Sequence, residues 1–390
     1  MSISAAPTSS GTSIKAILAR QQLDADREAW GQRLQKVTSG DVETALASRP
    51  GSYSSSKLLA LVSPAAEDYL EQMAGSSRRL TLQRFGRTIR LYAPLYLSSH
   101  CVNRCQYCGF NRDNAFDRVR LSIDEALAEA ELIAREGFRD ILLVTSEDKE
   151  FITVPYLAEL AKALRGKFSF ISAEIYQMTA ADYRKLFDAG IEGITLYQET
   201  YDRSTYAQYH LGGPKANYDM RLYGPDDFAS AGMREIGLGV LLGLADWRTE
   251  TLALAEHAFH LFKRYWQSRI SFSFPRIRPA CGVPTEAFPH TVSDKNLVQM
   301  MLALRLCFAD AGLVLSTREP AELRDRFVQL GITKMSAGSR TSPGGYSRAD
   351  GDAGQFKVND ERSAADVVAM LQNQGIEPVW KDWDRAFLSV

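Results

Sequence analysis

Three cysteines lie within eight residues of one another and are the side chains of this sequence best suited to hold a metal. They are Cys101, Cys105 and Cys108, in the pattern Cys-x3-Cys-x2-Cys. Three thiolates this close on one loop can ligate three irons of a [4Fe–4S] cluster and leave the fourth iron without a protein ligand. An amino acid group of a second molecule could chelate that open iron. The spacing therefore favours an iron–sulfur site.

Two other interpretations of the same cysteines remain open. A structural zinc site has four ligands, and the nearby candidate, His100, is adjacent to Cys101, which makes tetrahedral ligation by both residues awkward. The cysteines could also bind no metal. The two other cysteines, Cys281 and Cys307, are isolated, and we expect both to be inert. An odd number of cysteines, three of them clustered, does not suit a secreted disulfide framework.

The cysteines follow the first of eight predicted β-strands. Short β-rich runs alternate with helical segments, and strands are expected at residues 91–98, 139–145, 168–174, 191–198, 236–243, 270–275, 313–317 and 332–336. Eight strands alternating with helices favour an α/β fold, a (β/α)8 TIM-like barrel of about 250 residues. Because the last two predicted strands are short, a partial barrel or a doubly wound sheet is the alternative. In either fold, functional residues gather where strands end and loops begin.

Helix signals lie between the predicted strands. Ser122 and Glu125 have capping-box spacing before an amphipathic run that ends at Gly137. Thr179 and Ser293 are expected to cap two further helices. These signals support the alternation of strands and helices that a barrel requires.

The chain is expected to have four parts. Residues 1–13 are a flexible tail, and residues 14–84 form an N-terminal helical extension. Residues 85–340 form the barrel. Residues 341–390 form a C-terminal segment that closes the barrel, with a helix near residues 362–374 and an aromatic tail at residues 380–384.

Composition excludes several classes of function. The chain has 46 Lys and Arg against 47 Asp and Glu, so it lacks the excess positive charge that holds a phosphate backbone. Its longest apolar stretches, such as residues 238–245, are far shorter than the ~20 residues of a membrane span. Residues 1–13 do not resemble an export signal. We therefore expect a cytoplasmic protein that binds neither nucleic acid nor membrane.

The cysteine pattern after a first barrel strand, with an aromatic residue before the last cysteine, resembles the radical S-adenosylmethionine (SAM) superfamily. Further segments, from about residue 58 to the C-terminus, resemble the 2-iminoacetate synthase family, the tyrosine lyases of thiazole biosynthesis. The segments that carry this resemblance are residues 96–101, 108–110, 142–147, 197–201, 265–268, 273–279, 316–319, 343–346 and 378–383.

This resemblance implies a reaction and its participants. The cofactors would be a [4Fe–4S] cluster and SAM, and the reaction would cleave the Cα–Cβ bond of L-tyrosine to 2-iminoacetate (dehydroglycine) and p-cresol. SAM would become 5′-deoxyadenosine and methionine, and the product would supply the thiazole of thiamine. Implied partners are a thiazole synthase and an electron donor of the flavodoxin or ferredoxin type. The alternatives are a tryptophan lyase, a hydrogenase-maturation tyrosine lyase without its second cluster and, less in keeping with the motifs, a structural zinc-binding module.

The resemblance also implies a SAM site at the ends of the first strands. Tyr107 is the aromatic residue before the last cysteine. Ser146 and Glu147 stand where the superfamily often has Gly-Gly-Glu, whose edge receives the SAM amino group, although Ser146 departs from the usual glycine. Glu174 ends the third strand, where a family carboxylate accepts hydrogen bonds from the ribose hydroxyls. The other implied SAM-site residues are Gln198 and Glu199, at the end of the fourth strand, and Arg221, which resembles a family arginine near the SAM carboxylate.

The implied substrate residues are Tyr96, Arg318 and Ser336, at places where the aromatic-amino-acid lyases hold the backbone groups of their substrate. A guanidinium at Arg318 can hold an α-carboxylate through two parallel hydrogen bonds. The structural alternative is a surface ion pair between Arg318 and Glu319 or Glu322.

Other polar residues have both a functional and a structural interpretation. Glu147 could be a solvated loop acid, and Gln198 and Glu199 could cap the next segment. Two arginines on the sixth predicted strand could face the same anionic pocket or form a structural ion pair; they are Arg276 and Arg278. Two histidines on one helix face have no third ligand, and we expect a satisfied surface pair; they are His257 and His260.

Overall fold

The computed structural model describes residues 12–348 and 354–380, and eight parallel strands form a closed barrel at its centre. The barrel strands are β1 (Thr88–Ser98), β2 (Asp140–Thr145), β3 (Phe170–Glu174), β4 (Gly193–Thr195), β5 (Glu235–Gly239), β6 (Arg269–Ser273), β7 (Gly312–Leu315) and β8 (Lys334–Ser336). The expected flexible tail and aromatic tail lie outside the described residues, apart from residues 12, 13 and 380.

The first strand closes the barrel because it pairs with strands on both sides. β1 pairs in parallel with β2 over residues 93–98 and with β8 over residues 90–92. Each remaining strand pairs with its neighbour in chain order. The predicted (β/α)8 barrel is therefore confirmed, and the doubly wound sheet is wrong.

Fourteen α-helices surround this barrel within the described residues. Five precede it: α1 (Ile14–Gln21), α2 (Glu28–Gln35), α3 (Ser39–Ala47), α4 (Ser55–Val62) and α5 (Leu70–Phe85). The others are α6 (Ile123–Arg135), α7 (Val154–Leu164), α8 (Ala180–Ala189), α9 (Arg203–Tyr209), α10 (Tyr218–Ser230), α11 (Trp247–Arg264), α12 (Asp294–Cys307), α13 (Ala321–Phe327) and α14 (Ala364–Asn373). Among these helices, none combines the length and the apolar character that crossing a membrane requires.

The predicted helix starts are present. Ser122 and Glu125 form a complete capping box at the start of α6, and Ser293 forms one at the start of α12. The Thr179 hydroxyl accepts a hydrogen bond from the Asp182 amide at the start of α8. These caps satisfy amide groups that a helix start leaves without partners.

The N-terminal helices pack on the outside of the barrel over α11 and α12. The Gln299 amide on α12 donates to the carbonyl oxygens of Leu61 and Ser63, at 3.0 and 2.8 Å. Both histidines of α11 are buried, which corrects the expected surface pair. His257 is hydrogen-bonded to the Tyr201 hydroxyl, and His260 is paired with Asp226.

Paired charges fill the end of the barrel where the strands begin. Asp140 lies 2.5 Å from the Arg90 guanidinium and 3.1 Å from the Lys334 amine, and Lys334 also lies 3.6 Å from Glu235. A short ninth strand, β9 (Glu377–Val379), pairs with residues 88–90 of β1 at this end. The sequence did not predict this strand. The cavities described next open at the opposite end.

Candidate active site

Two cavities that share part of their lining lie at the carboxyl ends of the barrel strands. The outer cavity, of about 940 Å³, includes the cysteine loop, and the inner chamber, of about 580 Å³, extends between the strands. Residues that line both are Val144, Glu174, Tyr197, Pro275, Arg318, Gln355 and Phe356. A molecule in one cavity would therefore lie next to a molecule in the other.

The loop that follows β1 places all three clustered cysteines on the wall of the outer cavity. Burial raises the pKa of the Cys105 thiol to about 12 and that of the Cys108 thiol to about 11. A thiolate in such a place needs a neighbouring positive charge, which a bound metal centre supplies. In the described part of the chain, no three His, Cys, Asp or Glu side chains converge on a site for a single metal ion.

The end of β2 lies against this loop. The Ser146 hydroxyl is 3.1 Å from the Ser98 carbonyl oxygen and also contacts the carbonyl oxygen of His100. The buried Glu147 carboxylate accepts a hydrogen bond from the Asn103 amide at 2.6 Å, so it is not a solvated loop acid. Ser146 and Glu147 both line the outer cavity.

Glu199 is the centre of a charged group on the next part of the wall. Its carboxylate lies 2.7 Å from the Lys215 amine and 3.4 Å from the Arg221 guanidinium. Although burial opposes ionisation, these two cations hold the pKa of Glu199 below its usual value. The Glu199 backbone is left-handed, with φ of 69°, a conformation that non-glycine residues adopt rarely and often at functional sites. Glu199, Lys215 and Arg221 all line the outer cavity.

Glu174 faces both cavities from the end of β3. Burial and the nearby Glu199 carboxylate raise its pKa. Within the described residues, the Glu174 carboxylate has no hydrogen bond or ion pair, so its oxygens can accept from a bound molecule. This is the property that an acceptor for ribose hydroxyls needs.

Tyr107 lies on the cavity wall beside Cys108, in contact with a neutral histidine. Its hydroxyl is 2.8 Å from Nε2 of His210, whose Nδ1 lies 2.7 Å from the Tyr206 carbonyl oxygen. Burial and the nearby Lys215 lower the pKa of His210 to about 3. Because the carbonyl can only accept, Nδ1 carries the hydrogen and Nε2 accepts from Tyr107.

Gln198 is the one expected SAM-site residue that the structure does not bring to the cavity lining. Its side chain is buried, and neither its amide oxygen nor its amide nitrogen has a partner among the described residues. Its neighbours Tyr197 and Glu199 face the cavity, whereas Gln198 points elsewhere, as alternation along an extended chain requires.

The inner chamber contains all three expected substrate residues, Tyr96, Arg318 and Ser336. The buried Ser336 hydroxyl accepts from the Thr317 amide at 3.1 Å. The Tyr96 hydroxyl donates to the Gln355 side chain at 2.8 Å, and burial raises the pKa of Tyr96 well above its usual value. These groups surround a space large enough for an amino acid.

Arg318 makes no ion pair within the described residues, so neither expected surface partner binds it. Glu319 instead pairs with Arg276, through Nε at 3.0 Å, and with Arg278 at 2.6 Å. The alternative of a structural ion pair therefore fits both of these arginines, although Arg278 also lines the outer cavity. They lie on the loop after β6, which ends at Ser273, and not on the strand itself.

Sequence reasoning missed several residues of the cavity wall. Lys215 and Asn103 carry no local motif, and Tyr197 was noted only as part of a resembling segment. Gln355 and Phe356 follow a Gly-rich stretch that gives no sign of a site. Only the alternation of strand residues could have marked Tyr197 as inward-facing.

Comparisons with known protein families match two parts of the chain. Residues 95–255 match the Radical SAM superfamily, and residues 273–377 match the Biotin and Thiamin Synthesis associated domain.

Individual proteins match along most of their length. The chain is 42% identical to the 2-iminoacetate synthase of Escherichia coli K12 over 353 residues, which are 90% of this chain and 93% of that protein. It is 30% identical to the 3-methylornithine synthase of Methanosarcina acetivorans, over 82% of this chain and 89% of that one. The crystal structure of the FeFe-hydrogenase maturase HydG from Carboxydothermus hydrogenoformans matches with a TM-score of 0.82 and 32% identity, over 95% of this chain and 86% of that one.

Proposed function

The chain belongs to the 2-iminoacetate synthase family of the radical SAM superfamily, and on this premise we propose that it cleaves the Cα–Cβ bond of L-tyrosine. The products are 2-iminoacetate and p-cresol, and SAM becomes 5′-deoxyadenosine and methionine. The observation that carries the proposal is 42% identity to a 2-iminoacetate synthase along nearly the whole of both chains. The outer cavity supports it, because three thiols and an arginine without an ion pair among the described residues line it.

The residues of the outer cavity fit the cofactors of the superfamily, a [4Fe–4S] cluster and SAM. Cys101, Cys105 and Cys108 would hold the cluster, because three soft donors on one loop leave one iron open. When bound, these cofactors supply one-electron reduction and hydrogen-atom abstraction. The remaining work belongs to the side chains of this chain, which bind, orient and shield the reactants.

SAM would lie along the wall that extends from β2 to the loop after β4. Ser146 and Glu147 lie beside the cysteine loop, where they would receive the SAM amino group. The unpaired Glu174 would accept from the ribose hydroxyls, and Arg221 would attract the SAM carboxylate. Tyr107 and Glu199 complete this wall.

L-Tyrosine would occupy the inner chamber. Arg318 would hold its α-carboxylate, and the hydroxyls of Tyr96 and Ser336 would hold its other backbone groups. A charge-assisted contact in a place shielded from water is stronger than the same contact in solvent. Gln198, which lies outside the lining, would act on SAM only through its neighbours.

Two related functions differ from this proposal in specific ways. The hydrogenase-maturation tyrosine lyases need further cysteines for a second cluster, and this chain has no cysteine after Cys307. A tryptophan lyase would share the cofactors and differ in the product. The identity to a 2-iminoacetate synthase favours tyrosine over tryptophan.

The proposed product needs a consumer, and the cofactor needs an electron source. 2-Iminoacetate hydrolyses readily, so we expect a thiazole synthase to receive it from this enzyme. A flavodoxin or ferredoxin type protein would deliver the electron. We place the enzyme in the cytoplasm, where a reducing environment keeps the cysteines available for a cluster.

Anaerobic reconstitution followed by product analysis tests this proposal. With SAM, a reductant and tyrosine, the enzyme should release p-cresol, 5′-deoxyadenosine and glyoxylate, the hydrolysis product of 2-iminoacetate. With tryptophan in place of tyrosine, no indole-derived product should form. Cleavage of tryptophan at a rate similar to that of tyrosine would contradict the assigned substrate, and release of zinc without iron would contradict the cluster.

A further inference from the structure

A short segment of the C-terminal part of the chain contributes side chains to the walls of both cavities. Residues 354–360, named the strap here, lie between β8 and α14. We propose that Gln355 and Phe356 are positioning residues, which fix the directions of the Tyr96 and Arg318 side chains and so prepare them to bind the amino acid. This inference rests on the proposed function, because Tyr96 and Arg318 are its substrate residues.

Phe356 holds the guanidinium of Arg318. The Cζ carbon of Arg318 lies 3.5 Å from the centre of the Phe356 ring, well within the range of a cation–π contact. In the described part of the chain, the guanidinium makes one hydrogen bond, which it donates to the Arg276 carbonyl oxygen at 3.5 Å. Glu319 forms ion pairs with Arg276 and Arg278 instead. The Phe356 ring is therefore the main contact that fixes the direction of Arg318.

Gln355 fixes the direction of the Tyr96 hydroxyl through a hydrogen bond. Its Oε1 accepts the Tyr96 hydroxyl at 2.8 Å, and Tyr96 itself is only 4% exposed. The amide nitrogen of Gln355 has no hydrogen-bond partner among the described residues, and the side chain lines both cavities. Because Oε1 accepts from Tyr96, the amide nitrogen is the donor that Gln355 has left for a bound molecule.

The strap is itself held firmly, which a positioning element requires. Its backbone hydrogen bonds reach the loops that follow four barrel strands. They are Gly109 N–H to the Gln355 carbonyl at 3.2 Å, Gln355 N–H to Thr341 at 2.9 Å, Lys357 N–H to Pro279 at 2.9 Å and Asn359 N–H to Thr317 at 3.0 Å.

The last residue of the strap is linked through Arg324 to the proposed substrate residue Ser336. Asp360, which is buried, pairs with the buried Arg324, and Arg324 also donates to the carbonyl oxygen of Ser336. The strap thus connects the cysteine loop, through Gly109, with all three proposed substrate residues. Movement of the strap would change their geometry together.

The first test measures tyrosine binding to the cluster-loaded enzyme with SAM and without reductant, so that no turnover occurs. Phe356→Leu should weaken tyrosine binding by about three- to thirtyfold, the range of a partly desolvated cation–π contact. Phe356→Tyr, which keeps the ring, should restore most of the affinity. Phe151→Leu is the matched control, because Phe151 lies under Arg120 outside both cavities. It should bind tyrosine as the unaltered enzyme does.

A double-variant comparison separates positioning from general loosening of the cavity. If Phe356 acts through Arg318, Phe356→Leu should have no further effect on tyrosine binding in an Arg318→Ala background. An equal loss in both backgrounds would overturn the assignment, as would unchanged tyrosine binding in Phe356→Leu. SAM affinity and iron content should change by less than about twofold in Phe356→Leu.

Gln355→Met provides an independent arm should Phe356→Leu fold poorly. Methionine keeps the length of the side chain, but its thioether sulfur is only a weak acceptor for the Tyr96 hydroxyl. Its effect on the KM for tyrosine should disappear in a Tyr96→Phe background, and an additive effect would contradict positioning. The unaltered enzyme, measured alongside, distinguishes the two proposals: if it forms no p-cresol from tyrosine, the proposed function fails before the strap is tested.

Discussion

Cys101, Cys105 and Cys108 line the outer cavity, whereas Cys281 is exposed away from it and Cys307 is buried elsewhere. Replacing any one of the three by Ala should abolish SAM cleavage, because each would supply one iron with its thiolate. Iron and sulfide analysis with 5′-deoxyadenosine formation measures the effect.

The two remaining cysteines serve as matched controls for the cluster ligands. Cys307 is buried and lines neither cavity, so its thiol cannot reach a cluster held there. Cys281→Ser and Cys307→Ser should keep the full iron content. Loss of iron in either variant, in proportion to one ligand, would show that the three-cysteine assignment is wrong.

Arg318 is the residue whose proposed role depends most on its exact contacts. Arg318→Ala should lower tyrosine affinity about ten- to a hundredfold, because hydrogen bonds to charged groups contribute roughly 1.5–3 kcal/mol. Arg318→Lys should rescue binding only in part, since an ammonium keeps the charge but lacks the planar fork. Titration of p-cresol formation against tyrosine concentration measures both variants, and an unchanged dependence on tyrosine would refute the contact.

Among the elements, the strap depends on a close approach between two backbones. A Cβ atom added at Gly109 would lie 2.9 Å from the carbonyl oxygens of both Gly354 and Gln355. Gly109→Ala should therefore displace the strap, raise the KM for tyrosine several-fold and cost about 1–3 kcal/mol of stability. Gly166→Ala is the matched control, because no atom lies within 4 Å of its added Cβ. Equal tyrosine KM values for the two variants would contradict the role of this contact.

How well each element could be predicted depends on how local its cause is. The ends of all eight barrel strands lie within four residues of the expected ones. The predicted strand at 191–198 is reduced to Gly193–Thr195, although backbone hydrogen bonds from Leu196 to Gly237 and from Gln198 to Gly239 continue beyond its end. The ninth strand has only three residues and contains Pro378, so no local pattern marked it. It forms because the first residues of β1, residues 88–90, pair with residues 377–379 from the far end of the chain.

The candidate site was predictable to the same extent. Residues near the carboxyl ends of strands, such as Tyr96 and Glu174, lie in the cavity as barrel geometry requires. Gln198 does not, because side chains alternate there. Lys215, Gln355 and Phe356 come from segments outside the barrel strands that line the outer cavity. Their positions depend on the tertiary structure, so no local pattern predicts them.

At the scale of the whole molecule, the N-terminal extension changes the environment of an entire barrel helix. Thirteen of the 18 residues of α11 are buried, including both of its histidines. The sequence indicated a surface pair because helix periodicity cannot show that Tyr201 and Asp226, from other parts of the chain, contact these histidines. This burial has a consequence for the stability of the protein at acid pH.

The buried His257 should make the folded protein sensitive to mild acid. Burial lowers its pKa to about 3, against about 6.5 in an unfolded chain, while Asp226 opposes this shift and His260 adds to it. Below pH ~6.5, the unfolded chain therefore binds a proton at this histidine, whereas the folded protein does not. The stability of the neutral state is complete above pH ~6.5 and declines as the pH falls toward 3.

Urea unfolding at pH 7.5, 6.5 and 5.5 measures this contribution. Each histidine of this kind lowers the free energy of unfolding by up to about 1.4 kcal/mol per pH unit below 6.5. His257→Gln should remove one such contribution, so the variant should lose less stability than the unaltered protein between pH 6.5 and 5.5. His210, whose pKa is also about 3, keeps its own contribution in both proteins. Parallel pH profiles for the two proteins would contradict this prediction and would mean that α11 opens to water before His257 titrates.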